Sequence, residues 1–168
     1  MKPSPNPTVG PDLQPLIRPS GARDLPAILS LIVAAFAELA VLTPPSGAAG
    51  ETVENLARIQ ATGAILTARA TDGDVVGCVA LEPKEGGLYL GRLAVRPDWR
   101  HRCIARRLLV AAEGYARQIG AKALTLNVRL VLTSNIRLFE GAGYRITGQG
   151  SHPGFSVPTY HIMQKFLA

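Results

Sequence analysis

Apolar residues change their spacing several times along the chain, and each change marks a predicted element. Over residues 25–41 they recur at helical intervals, and the same spacing returns over residues 51–62. A stretch rich in proline and glycine, residues 43–47, separates these two helical patterns. A short run at 16–19 precedes the first helix. The first third of the chain is therefore predicted to contain one strand and two helices.

The middle of the chain has the character of β-strands. Residues 65–70 and 75–81 flank an Asp-Gly-Asp sequence that is typical of a hairpin turn. A second turn, at 83–87, leads to a further strand over residues 88–95. These three runs predict an antiparallel meander.

The last part of the chain alternates helices and strands. A helix with apolar residues three and four positions apart is predicted over 104–119, ending at Gly120, and a strand follows over 123–128. The crossover from the strand at 88–95 should be right-handed and parallel. The remaining predicted elements are a helix at 134–142 and strands at 144–147 and 158–166. Seven strands and four helices indicate an α/β protein.

The composition fits one compact domain. The chain has 168 residues, 47% of them hydrophobic, which is enough to bury a core without disulfides. We predict a single domain over residues 15–168 and a disordered, proline-containing tail over residues 1–14. The most apolar stretch, 25–42, is interrupted by Ser30 and Glu38. We interpret it as an amphipathic core helix and expect no association with a membrane.

The chain is basic, with 18 Lys and Arg residues against 12 Asp and Glu. This excess suits a phosphate-bearing partner, either a nucleic acid or one polyanionic cofactor. The cofactor is favoured, because the basic residues form no continuous block and only four Tyr, four Phe and one Trp could stack on bases. Two isolated cysteines, Cys78 and Cys103, imply no disulfide framework and no metal site, and they favour the reducing cytoplasm.

An anion-binding site is predicted between the strand at 88–95 and the helix at 104–119. Amides of the connecting turn and of the first helical turn should converge on one place, reinforced by the positive end of the helix dipole. Arg100, Arg102 and Arg106 add guanidinium groups whose geometry matches phosphate oxygens. For the turn alone, a solvated basic loop is the alternative.

Two segments carry a more specific pattern. Residues 93–97 read Leu-Ala-Val-Arg-Pro, and Arg100, Cys103 and Ala105 follow at the spacing Gln/Arg, two residues, Gly, one residue, Gly/Ala. Residues 135–144 read Asn-Ile-Arg-Leu-Phe-Glu-Gly-Ala-Gly-Tyr. Both segments, and the order of elements over about 15–168, resemble the GNAT superfamily of N-acetyltransferases. The resemblance implies a mixed, mostly antiparallel sheet of about seven strands flanked by about four helices.

The resemblance also implies that acetyl-CoA is the acyl donor. The backbone at Leu93 and Val95 would contact the pantetheine arm, and the amides over residues 100–106 would hold the pyrophosphate. The implied cofactor-binding residues are Leu93, Ala94, Val95, Arg100, His101, Arg102, Cys103, Ile104, Ala105, Arg106, Asn135 and Phe139.

Two positions depart from the family pattern. Cys103 stands where glycine is usual, so a side chain projects where the backbone must approach phosphate closely. The small thiol is either tolerated, or it weakens coenzyme binding and is reactive beside the helix N-terminus. Phe139 stands where many members carry the tyrosine that protonates the departing thiolate.

Catalysis requires the acceptor amine to lose a proton before it attacks. Tyr89 lies where several family members carry a catalytic carboxylate, and Glu82 is the nearest carboxylate across the turn; either could order a water. A bulge at Gly91 would change which side chains face inward. The loop at 151–161 is expected to shape the acceptor pocket, with His152 as a candidate base or ligand.

Together these observations predict transfer of an acetyl group from acetyl-CoA to a primary amine of a small molecule or peptide, by direct attack. Two other classes stay open: a catalytically silent acyl-CoA sensor, and a nucleic-acid-binding protein with a basic surface. The sequence leaves the identity of the amine undetermined, and it leaves a homodimer open.

Overall fold

A computed structural model describes residues 14–168, so the predicted tail lies outside the described residues except for Gln14. The elements follow the predicted order. They are β1 (Leu16–Pro19), α1 (Leu25–Phe36), α2 (Val53–Thr62), β2 (Ala64–Arg69), β3 (Val75–Lys84), β4 (Gly87–Val95), α3 (Ile104–Gln118), β5 (Ala123–Arg129), α4 (Thr133–Gly141), β6 (Arg145–Gly150) and β7 (Tyr160–Phe166).

Several boundaries differ from those predicted. The α-helix α1 ends at Phe36, and the chain continues to Val41 as a 3-10 helix. The predicted turn at 83–87 shrinks to Glu85 and Gly86, because β3 and β4 continue pairing as far as Lys84 and Gly87. Gly86 has a φ of 78°, which a two-residue hairpin turn requires and glycine adopts readily.

The seven strands form one sheet in the order β1-β2-β3-β4-β5-β7-β6. All neighbours are antiparallel except β4 and β5, which confirms the mixed, mostly antiparallel sheet. The parallel pair is joined through α3, as a crossover connection requires. One hydrophobic core packs α3 and α4 on one face, and a second core packs α1 and α2 on the other.

A β-bulge in β4 reverses which face its side chains occupy. Ala80 pairs with Gly91 and Cys78 with Ala94, so β4 has one extra residue between these partners. Arg92, within the bulge, has a φ of 51°. Before the bulge, Leu90 faces the α3 core, whereas Ala94 beyond it lies in the α1–α2 core. The bulge that Gly91 suggested is therefore present beside it, and simple alternation fails along β4.

The parallel strands β4 and β5 separate soon after they meet. They pair only at Leu88 with Leu124 and Tyr89 with Thr125. Beyond these residues the two strands splay apart, and β5 pairs instead along its whole length with β7. The splay opens a cleft between adjacent strands at the centre of the sheet.

One helical segment of the described chain, Ala22–Val41, is long and apolar enough to cross a membrane by length and composition. Its Leu25, Ile28 and Ile32 side chains are buried in the core between α1, α2 and the sheet. One face of the segment therefore packs as expected for an amphipathic core helix.

Candidate functional site

The cleft between β4 and β5 has a volume of about 1270 Å³. It receives residues from both faces of the sheet, from the start of α3, from α4 and from the loop before β7. Of the residues predicted to bind cofactor, all but Arg102 line it. Tyr89 lines it as well, whereas Glu82 lies outside.

Six consecutive backbone amides at the start of α3 are unpaired. The last amide before the helix that is bonded locally is that of Arg100, and the first bond at the helix start runs from the amide of Arg107 to the carbonyl of Cys103, at 3.1 Å. Between them, the amides of residues 101–106 donate to no acceptor within residues 14–168. Free amides at a helix N-terminus form a binding site for phosphate or another anion.

The backbone of this turn has the alternating geometry of an anion-binding nest. His101 and Cys103 both have left-handed conformations, with φ values of 61° and 60°. Alternation between left- and right-handed residues turns successive N–H groups toward one point. The local sequence thus builds a turn of converging amides suited to an anion, and we call residues 100–106 the cradle.

The arginines of the cradle are arranged differently from the sequence-based prediction. Arg100 donates to a carboxylate oxygen of Glu38 at 2.8 Å and to the carbonyl of Ala35 at 3.3 Å, so it bridges to the end of α1. Arg102 stacks on Trp99, 4.6 Å from the ring centroid, and does not line the cleft; its part in cofactor binding stays a prediction. Arg106 lines the cleft and is the exposed guanidinium at the mouth of the cradle.

The opposite half of the cleft lies on the α1–α2 side of the sheet. Leu124, Leu126 and Val128 face the α3 core, so the alternate residues of β5, Asn127 and Arg129, face the other way. Tyr89 of β4 lies on that face, and Tyr160 of β7 pairs with Arg129 across the ladder. We call this part of the cleft the acceptor half.

A buried ion pair between Glu51 and Arg92 stabilises the bulge in β4. The Glu51 side chain is fully buried, and its oxygens accept hydrogen bonds from Nε of Arg92 at 2.6 Å, Nδ2 of Asn55 at 2.7 Å and the amide of Thr52 at 2.9 Å. Sequence reasoning missed this pair, because Glu51 and Arg92 lie 41 positions apart. Arg92 lines the cleft, so Glu51 positions a residue of the site.

The site's geometry agrees with comparisons to known proteins. The model of the acetyltransferase (GNAT) family matches residues 33–144, which include the cradle, the bulge and α4. The chain belongs to the GNAT acetyltransferase family. Within residues 14–168, no group of three or more His, Cys, Asp or Glu side chains could hold a metal ion.

Relatives extend the comparison. The chain is 33% identical over 95 residues to "Probable N-acetyltransferase 14" of Xenopus tropicalis, a match that covers 55% of this chain and 44% of that protein. The chain thus spans less than half the length of this relative. Solved structures with the same fold include the paia N-acetyltransferase of Thermoplasma acidophilum in complex with coenzyme A, at 21% identity and a TM-score of 0.71, covering 90% of this chain and 98% of that one.

A second solved structure with the same fold is an N-acetyltransferase that acts on a ribosomal protein. The ribosomal-protein-S18-alanine N-acetyltransferase of Escherichia coli is 19% identical to this chain, with a TM-score of 0.73 and coverage of 91% of this chain and 94% of that one. At these identities the two structures show the common GNAT fold alone.

Phe139 lines the cleft of this GNAT chain, and Tyr144 packs behind it. Phe139 is buried and packs edge-on against Tyr144, with ring centroids 5.9 Å apart. The Tyr144 hydroxyl is buried without a partner in the described structure, and burial raises the pKa of Tyr144. Tyr144 does not line the cleft. Its hydroxyl therefore does not take the place of the tyrosine hydroxyl that many family members carry at the position of Phe139.

The two predicted catalytic residues have different surroundings. Glu82 accepts from Arg58 at 3.1 Å, and the structure does not bring it to the cleft. Tyr89 lies in the cleft, where burial raises its pKa against the opposing influence of Arg92, so the phenol stays protonated at neutral pH. It can donate a hydrogen bond or order a water, but it does not act as an anionic base.

His152 lies in the acceptor half on the loop before β7. Its Nδ1 is 2.5 Å from Oγ1 of Thr159, and its ring packs edge-on against Tyr160 at 5.2 Å. Burial, together with the nearby charge of Arg129, lowers the pKa of His152. The imidazole is therefore neutral at pH 7, the form that can accept a proton.

Cys103 provides a test of strain in the cradle. Its left-handed conformation is unfavourable for a residue with a Cβ, so Cys103→Gly should stabilise the fold by about 1 kcal/mol and bind acetyl-CoA more tightly. Denaturant unfolding and calorimetry would measure both quantities. Cys103→Ala is the matched control, because it removes the sulfur and keeps the Cβ. A glycine variant no more stable than the alanine variant would contradict the strain argument.

Proposed function

We propose that this protein transfers an acetyl group from acetyl-CoA to a primary amine by direct attack, without a covalent enzyme intermediate. The observation that carries the proposal is the run of six free amides at residues 101–106, which opens onto the cleft between the splayed strands. A pyrophosphate fits such a cradle, because its oxygens accept hydrogen bonds from converging amides and its charge complements the helix dipole.

Each half of the cleft has a part in this reaction. The cradle would hold the pyrophosphate, and the backbone at Leu93 and Val95, where β4 no longer pairs with β5, would align the pantetheine arm toward the centre of the sheet. There the amine nitrogen forms a bond to the thioester carbonyl carbon, the carbon–sulfur bond breaks, and the thiolate leaves as coenzyme A. The amine must first lose a proton, and neutral His152 or a water held by the Tyr89 hydroxyl would accept it.

The basic lining of the acceptor half assists this deprotonation. Arg92 is paired with Glu51, but Arg129 places positive charge near the incoming amine, and positive charge lowers the pKa of an ammonium group. A larger share of the amine is then neutral at pH 7. The site therefore has a route to a nucleophilic amine without a catalytic carboxylate.

The direct test uses purified protein, acetyl-CoA and a panel of amines and peptides. Release of free thiol, with the mass of the acetylated product, should identify an acceptor, and acetyl-CoA alone should raise the melting temperature. The proposal fails if millimolar acetyl-CoA neither stabilises the protein nor binds to it.

A catalytically silent acyl-CoA sensor is the second candidate. Two observations favour it. Phe139 has no proton to donate to the departing thiolate, and Glu82, a candidate for ordering the water that accepts the amine proton, lies outside the cleft. A sensor would bind acetyl-CoA with the same cradle and show no thiol release above the uncatalysed rate. Robust turnover with any amine would remove this candidate.

Removal of the Tyr89 hydroxyl tests its part in proton transfer. Tyr89→Phe keeps the ring that covers Gly91 and should lower kcat about 10-fold, with little change in the KM for acetyl-CoA, because only the group that orders water is lost. Steady-state kinetics with the best acceptor would measure both parameters. An unchanged kcat would assign Tyr89 to packing alone.

A further inference from the structure

The acceptor half contains a positive charge, that of Arg129, which has no ion-pair partner among the described residues. Arg129, the last residue of β5, lines the cleft on the α1–α2 side of the sheet. Within residues 14–168 its guanidinium forms neither an ion pair nor a side-chain hydrogen bond. Partial burial, with no opposing charge, lowers the pKa of Arg129. The guanidinium is partly dehydrated and has no partner among the described residues, so an anionic ligand could pair with it.

The neighbours of Arg129 make the wall of a pocket. Tyr160 stands opposite it across the ladder, and His152 packs on Tyr160 and lies close enough to be affected by the arginine's charge. Arg92 reaches the same half of the cleft from the bulge, with its Nε held by Glu51. Two guanidinium groups, an imidazole and phenol rings thus surround one space.

No acidic side chain of the described residues neutralises the positive charge of Arg129 in the acceptor half. Among the cleft-lining residues of the described chain, Glu38 alone is acidic, and it is bound to Arg100 of the cradle at 2.8 Å. Glu51 is bound to Arg92 and lies behind the wall. The remaining positive charge of Arg129 would repel an acceptor whose only charged group is an ammonium.

An acceptor with its own negative charge resolves this imbalance. We propose that the acceptor is a primary amine that also carries an anionic group, and that Arg129 binds this group on the wall formed with Arg92, His152 and Tyr160. A carboxylate matches best, because two of its oxygens can accept parallel hydrogen bonds from one guanidinium. The inference rests on the proposed acetyl transfer for its substrate, but the anion site itself is a property of the cleft.

Arg129 would then fix both specificity and orientation. Binding of the anionic group at the end of β5 holds the amine toward the centre of the sheet, where the two strands separate. Pairing with the guanidinium also offsets the tendency of the acceptor's carboxylate to raise the pKa of its ammonium group. Acceptors lacking the anionic group lose this anchor and leave the guanidinium unpaired, which penalises them further.

The test compares matched acceptors with and without the anionic group. Amino acids and their carboxamides, with saturating acetyl-CoA, provide such pairs. Because loss of the carboxylate charge also lowers the pKa of the neighbouring ammonium, kcat/KM is expressed for each acceptor per concentration of neutral amine. We expect at least about 10-fold preference for the carboxylate member, since hydrogen bonds to charged groups contribute more than neutral ones. The preference should fall toward unity in Arg129→Gln and recover in part in Arg129→Lys. Arg145→Gln, at an exposed residue of β6 outside the cleft, is the matched control.

Binding measurements separate this inference from the proposed activity. In calorimetry with coenzyme A bound, an amino acid should bind more tightly to the wild type than to Arg129→Gln, while acetyl-CoA affinity stays the same in both. Carboxylate-dependent binding without turnover of any amine would support the anion site and overturn the transferase proposal. Turnover with equal kcat/KM for both members of each pair would overturn the anion site. A 10-fold loss of acetyl-CoA affinity in Arg129→Gln would also overturn it, by assigning Arg129 to the coenzyme.

Discussion

Ala105→Glu is expected to weaken acetyl-CoA binding by about 100-fold or more while the protein stays folded. Ala105 lines the cleft in the first turn of α3, among the six free amides. A carboxylate there would repel the pyrophosphate, and two unit charges about 4 Å apart near a protein surface interact by about 4 kcal/mol. The same carboxylate would favour the helix itself, because negative charge stabilises a helix N-terminus. Calorimetry with acetyl-CoA measures the loss, and the melting temperature without ligand reports the fold.

Ala105→Gln is the matched control for this variant. Glutamine has the same size as glutamate without its charge, so it should keep most of the wild-type affinity. Equal losses in the two variants would show that bulk alone is responsible. Wild-type affinity in Ala105→Glu would contradict the placement of the pyrophosphate at residues 101–106.

Glu51→Ala is expected to destabilise the protein by about 2–3 kcal/mol. Removing one partner of a buried ion pair costs about 3–5 kcal/mol, because the other charge is left unpaired. The cost is smaller here, because the Arg92 side chain is 31% exposed and can be hydrated. Urea unfolding would measure the change. Glu54→Ala, at an exposed residue in the first turn of α2, is the control and should change the free energy of unfolding little.

The Glu51 interaction should also depend on pH. Burial acts to raise the pKa of Glu51, but hydrogen bonds from Arg92, Asn55 and the amide of Thr52 outweigh it and hold the pKa below its usual value of 4.5. The ionised carboxylate therefore stabilises the fold above that pH, and its contribution is lost as the pH falls below 4.5 toward the lower value of the folded state. The difference in unfolding free energy between wild type and Glu51→Ala should shrink over that range. A constant difference would contradict the assignment.

Local pattern predicted most of the elements, and the errors have identifiable causes. The helix over 104–119 and the strand over 123–128 were located closely, because spacing of apolar residues and a closing glycine are local signals. The turn at 83–87 was predicted too long, because Pro83 lies within β3 and pairs with Leu88 near the end of the hairpin. Proline is tolerated near strand ends, where fewer ladder hydrogen bonds are required.

The cradle could be inferred from sequence because its chemistry is carried by the backbone. A strand, an arginine-dense turn and a helix start are enough to place free amides at one point, whatever lies nearby. The direction of the arginine side chains was not accessible in this way. Arg100 turns to Glu38, which lies 62 positions away, and Arg102 turns to Trp99; both choices depend on neighbours that the fold supplies.

The sequence by itself thus determined the order of elements, the α/β class and the anion cradle, because each depends on spacing or backbone geometry over a few residues. Only the tertiary structure decided which side chains line the acceptor half of the cleft. The bulge at Arg92 reverses the faces of β4, and the Glu51–Arg92 pair joins residues 41 positions apart. Arg129 comes beside His152 because β7 pairs with β5. Such contacts form between distant segments, so no local pattern encodes which side chains share the cleft.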